Sequence, residues 1–118
     1  LKTAAAIMHH SVATVGLDNG LLHLASCTDT TVIFGYNIAG PKFRRPRRKW
    51  GRLMEIYLTP EELACANCQD GMKMHPTHHF NKCFYGDTKC IDLLFRDEAK
   101  RWTEAITIAD TLAQMEGR

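Results

Sequence analysis

Two groups of residues in this chain have types and spacings suited to chemistry. The first is Asp18-Asn19-Gly20-Leu21-Leu22-His23. A run of small and β-branched residues, Val12 to Leu17, stops at Asp18, and apolar residues then recur at Leu21, Leu22, Leu24 and Ala25 with helical spacing. The predicted order is strand, tight turn, helix. The side-chain oxygens of Asp18 and Asn19 suit a helix start, Gly20 lets a ligand approach backbone with no Cβ in the way, and unsatisfied N–H groups there attract phosphate. His23 lies three residues past Gly20 and faces the turn, where it can reach a phosphate or order Asp18.

The second group lies within residues 61–95. Cys65-Ala66-Asn67-Cys68 is a CxxC pair, Cys83 follows after fourteen residues and Cys90 after six more, with His75, His78 and His79 between the pairs. A CxxC turn brings two thiolates to one ion and a distant second pair completes a tetrahedron, so Cys65, Cys68, Cys83 and Cys90 are candidate ligands of a structural metal. The second pair is Cys-x6-Cys rather than knuckle-like. Three states therefore stay open: a metal site whose binding supplies folding energy, free thiols, and disulfides in an oxidising compartment. The histidines are alternate ligands.

The elements that must carry these groups alternate. Thr3 to His10, with three alanines, Ile7 and Met8, reads as a helix closed by His9-His10, whose imidazoles suit a helix C-terminus. Strand Val12–Leu17 and the helix after Gly20 follow, with Cys27 expected as a small buried residue, and then strand Thr31–Phe34 ending at Gly35. Tyr36 to Gly51 reads as a loop, Arg52 to Leu58 as an edge strand, and Asp97 to Glu116 as the clearest helix. In that helix Ala99, Trp102, Ile106, Ala109, Leu112 and Ala113 recur at three and four, with Trp102 in a core or interface and Gly117 as the stop. Helix, strand, helix, strand is the alternation of a parallel α/β layer.

Charge is modest in sum, at +2, but uneven. Lys42, Arg44, Arg45, Arg47, Arg48, Lys49 and Arg52 crowd the loop after the second strand, which suits either an anionic partner or a solvated loop that packs on a missing domain or another subunit. A chain of 118 residues with 45% apolar content is expected to bury one core as a single domain over residues 1–118. No apolar run approaches the roughly 18 residues of a membrane span, and no signal-peptide pattern is present. The chain opens on Leu1, so a piece of something longer is expected, in the cytoplasm, with a peripheral position at the inner membrane left open.

The stretch Asp18-Asn19-Gly20-Leu21-Leu22-His23-Leu24-Ala25, with its polar link to Thr31-Val32-Ile33-Phe34-Gly35, resembles the D-[ST]-G-x-x-H-x-A signature of family 9 glycosyltransferases, the lipopolysaccharide heptosyltransferases and their relatives. It departs at Asn19, which replaces Ser or Thr but still offers an amide N–H. The resemblance implies the Rossmann-like C-terminal half of a GT-B fold, with a Cys-rich insertion, a long final helix, and an N-terminal acceptor domain outside this chain. It implies a donor site at Asp18, Asn19, Gly20 and His23 for the diphosphate of an ADP-sugar, and transfer of a heptose or related sugar, with inversion, to a glycan or protein hydroxyl. The catalytic base would belong to the N-terminal domain, so this chain alone is expected to be inactive. No DxD motif calls for a catalytic divalent cation. One branch of the family, acting on autotransporter adhesins, has a four-cysteine iron site, which implies zinc or iron on Cys65, Cys68, Cys83 and Cys90. A homo-oligomer is left open. The rival class is a metal-stabilised basic module that binds nucleic acid or another polyanion, with Phe43 and Trp50 as stacking groups.

Overall fold

The fold is described from a computed structural model, over residues 1–37, 39–48, 51–68, 70 and 89–117. In chain order the elements are α1 (Lys2–His9), β1 (Ala13–Leu17), α2 (Gly20–Ala25), β2 (Thr31–Gly35), α3 (Pro41–Arg44), β3 (Leu53–Ile56), α4 (Lys89–Asp92), a π-helical turn (Leu93–Asp97) and α5 (Ala99–Met115). The three strands form one parallel sheet in the order β1-β2-β3. Ala13 pairs with Thr31 and Val15 with Ile33, and Ile33 in turn pairs with Met54.

Strand β2 is buried along its whole length, which explains why Thr31 to Phe34 shows no polar alternation. A central parallel strand has helices on both faces and no side from which water can reach it. Its odd and even residues therefore enter different cores. Ile33 packs with Ile56, Leu58, Leu94, Ala105 and Ala109 beneath α5, while Val32, Phe34 and Tyr36 pack with Leu22 and Ala25 beneath α2. The mixed α/β class and the parallel sheet agree with the alternation expected from the sequence.

Helix α5 lies close on the sheet because its contact residues are small. Ala105, Ala109 and Ala113 are its buried positions. This corrects the sequence expectation for Ile106, which is 44% exposed, because the buried stripe runs through Ala105 one position earlier. Cys27, expected to be buried, is exposed. The stretch read as an open loop holds α3, and residues 61–95 hold α4 and the start of the π-turn, in which the Glu98 amide bonds the Leu93 carbonyl at 2.8 Å. Gly117 takes φ +76 and stops α5 as its position suggested.

Where α5 begins, the benzo ring of Trp102 packs against Gly35, with its indole N–H donating to the Leu94 carbonyl at 3.1 Å. A Cβ added at Gly35 would fall 2.9 Å from Trp102 Cζ2 and closer still to Cη2. Both are rigid ring atoms, so Gly35→Ala must push α5 outward. A loss of about 1–3 kcal/mol is expected in urea unfolding. The loss should shrink when the same change is made in a Trp102→Leu protein; equal losses in both backgrounds would show that the indole is not what excludes a methyl group here.

Candidate functional site

Parallel strands deliver their following residues to one end of the sheet. Asp18 follows β1, Tyr36 follows β2 and Tyr57 follows β3, so all three stand at the carboxyl edge, where ligands collect in open α/β sheets. The turn after β1 is built as its residues suggest. Asn19 is extended at φ −159 and its Oδ1 accepts the Leu22 amide at 3.0 Å, which caps α2. Its own amide N–H2 stays available to a ligand. A Cβ at Gly20 would meet nothing within 4 Å, so glycine is not demanded there by the protein's own packing.

His23, one turn into α2, places Nε2 3.0 Å from Asp18 Oδ1 and sets its ring edge-on to Phe34, with centroids 5.2 Å apart. Asp18 Oδ2 lies 3.6 Å from Arg44 Nε, a charge contact rather than a hydrogen bond. The four residues singled out from the sequence, Asp18, Asn19, Gly20 and His23, are thus together at the sheet end, and Arg44 joins them. With only six residues, α2 has few aligned peptides, so the positive character of the site comes mainly from side chains.

Beside this group stands a second one that the motif did not reveal. Tyr36, 1% exposed, donates its hydroxyl to Glu55 Oε2 at 2.8 Å. Arg45 grips the same carboxylate in bidentate fashion, Nε to Oε2 at 2.9 Å and Nη2 to Oε1 at 2.9 Å. The sequence signal was Glu55 itself, a carboxylate inside the apolar strand Leu53-Met54-Glu55-Ile56. Burial first, then the hydrogen bond to Glu55 and the carboxylate charge of Glu55 and Asp18, push the Tyr36 phenol far above its ordinary value of 10.0. The bond to Glu55 also raises the already high pKa of Arg45.

The basic run separates once it is folded. Arg48 turns to the opposite end of the sheet, where Nη1 donates to the Arg52 carbonyl at 2.6 Å and Nη2 to the carbonyls of Thr28 at 2.7 Å and Thr30 at 2.9 Å. It fastens the entries to β2 and β3, and burial draws its pKa down. Arg52 pairs with Glu116 on α5, and the Lys42 ammonium sits over the Phe43 ring. Of the basic run, Arg48 and Arg52 are thus spent on internal ties, Arg44 and Arg45 face carboxylates at the sheet end, and Arg47 is exposed. Lys49 and Trp50 lie outside the described residues.

Cys65, Cys68 and Cys90 are partly buried. Asn67 at φ +54 gives the CxxC stretch its sharp turn, and Ala66 and Cys90 pack against the same core cluster. Among the described residues no three His, Cys, Asp or Glu side chains are grouped to hold a metal ion. Cys83, His75, His78 and His79 lie outside the described residues. Among the described residues no helix is long and apolar enough to cross a membrane.

The raised Tyr36 pKa has a sign that can be read in unfolding experiments. The folded protein keeps the phenol neutral while the unfolded chain ionises it near pH 10.0, so its contribution is complete below that pH and is lost as pH rises further. Tyr36→Phe is expected to cost about 1 kcal/mol at neutral pH and to flatten the loss of stability above about pH 10. An alkaline slope unchanged from the parent would show that Tyr36 is not the group involved.

No family model, no curated protein and no solved structure matches the chain.

Proposed function

We propose that the group Asp18, Asn19, Gly20, His23 and Arg44 at the carboxyl end of the sheet binds the diphosphate of a nucleotide-activated sugar. The chain is then the Rossmann-like donor half of a GT-B glycosyltransferase resembling family 9, moving a heptose or related sugar from an ADP-activated donor to a glycan or protein hydroxyl. One observation carries this reading: a carboxylate at the end of a parallel strand orders a histidine on the next helix and faces the arginine that closes α3, after the next strand.

Sugar transfer with inversion needs a base for the acceptor hydroxyl and compensation of the charge that builds on the departing diphosphate. The residues here supply the second requirement. Asp18 orders the ring of His23, and Asn19 and Gly20 stand beside it at the start of α2. Arg44 brings positive charge from the side. The base and the acceptor site belong to the other half of such an enzyme.

The same reading gives Cys65, Cys68, Cys83 and Cys90 to a structural zinc or iron ion, which would tie the CxxC turn to the segment leading into α4. Support comes from the packing of Ala66 and Cys90 on one core cluster. Natively purified protein is expected to carry about one equivalent of zinc or iron by elemental analysis, with the four thiols protected from a thiol reagent until a chelator is added. All five thiols, the four together with exposed Cys27, reacting at once in metal-free, folded protein would end that assignment.

Calorimetric titration tests the donor site. ADP, or an ADP-sugar, should bind saturably, and His23→Ala should weaken binding about tenfold or more. Gly20→Val fills open space, so it should abolish binding while leaving the urea midpoint unchanged. Salt-sensitive binding of random DNA, with no response to ADP, would replace the donor reading with the polyanion module.

A further inference from the structure

Arg44 and Arg45 are neighbours in sequence, yet they serve opposite sides of the sheet end. Arg44 closes α3, whereas Arg45 leaves the helix at φ −61 and ψ 127. Pro46, which is buried, imposes this, because the residue before a proline is driven out of the helical region. The two side chains therefore diverge. Arg44 reaches Asp18 after β1, and Arg45 reaches Glu55 on β3, with Tyr36 at the end of the strand between them.

Each guanidinium is held by one carboxylate and keeps donors in reserve. Glu55 occupies Nε and one Nη2 hydrogen of Arg45, leaving three of its five N–H groups, and more than half of the side chain is exposed. Arg44 makes only a charge contact with Asp18 and is likewise 54% exposed. We infer that Arg44 and Arg45 form a two-cation clamp that takes one phosphate group each, so that the site selects a diphosphate over a monophosphate. The inference rests on the donor reading above and adds to it Arg45, with Glu55 as its positioning residue.

The experiment compares ADP with AMP by calorimetry on the intact chain. The parent protein should bind ADP about tenfold or more tightly than AMP. Arg45→Gln should lower ADP affinity to near that of AMP, with AMP itself unchanged. Arg45→Lys should keep part of the preference, since charge survives without the planar fork. Glu55→Gln should retain ADP binding but blunt the contrast between Arg45 and Arg45→Lys, because the fork is no longer aimed. Urea midpoints check that each variant is folded, and Glu55→Gln serves if Arg45→Gln is not. ADP bound with a preference over AMP that Arg45→Gln leaves intact would overturn the clamp alone. A parent protein that binds neither nucleotide overturns the clamp together with the donor reading.

Discussion

The bidentate bond between Arg45 and Glu55 is the contact on which the carboxyl end of this sheet depends. It neutralises a carboxylate that β3 carries within an otherwise apolar strand, and an unpaired charge there would oppose folding. It also fixes the acceptor for the Tyr36 hydroxyl, so a buried phenol is satisfied where β2 ends. Through the chain itself it sets the position of the preceding residue, Arg44, beside Asp18. One ion pair thus joins the ends of all three strands, although its members come from a loop and from the last strand.

The opposite end is held in a different way. There Arg48 spends its donors on three backbone carbonyls, and Arg52 is tied to Glu116 at the end of α5. The Arg52 carbonyl also accepts the Val32 amide of β2 at 3.0 Å, so Arg48 reinforces a strand contact there while tying the entries to β2 and β3 together. Arginine suits both ends for one reason: its planar fork can satisfy several oxygens at once. A lysine at position 48 could not reach three carbonyls in that geometry.

Much of the fold was legible because strands and helices in a parallel layer have simple patterns. β1, α2 and β2 follow from the small-residue run, the break at Asp18 and the apolar run at Thr31. Ile106 misled because a period of three or four admits more than one stripe, and only the close approach of α5 to the sheet selects the alanines at 105, 109 and 113. Cys27 misled because residue type gives a tendency to be buried but not a position. Helix α3 was hidden by its prolines, one of which starts it while the other ends it. At the site, Asp18, Asn19, Gly20 and His23 are close in sequence and could be read together. Glu55 and Tyr36 are nineteen positions apart, and their meeting depends on the parallel register of β2 with β3.

Charge pairing at the sheet end also bears on how an anion would be received. Unpaired arginines at this density would repel each other and sample many rotamers, and a ligand would have to order them at an entropic cost. Asp18 and Glu55 lower that cost in advance, Glu55 by binding part of the donor set of Arg45 and Asp18 by a charge contact with Arg44. The consequence is a weaker net field, since each positive charge is half cancelled. Attraction at long range is therefore small, and discrimination must come from contact geometry. A ligand would gain only where its oxygens meet N–H groups that the carboxylates leave unbound, such as the three on Arg45. A single spherical anion could satisfy one guanidinium and would leave the other as it was, still paired with its carboxylate.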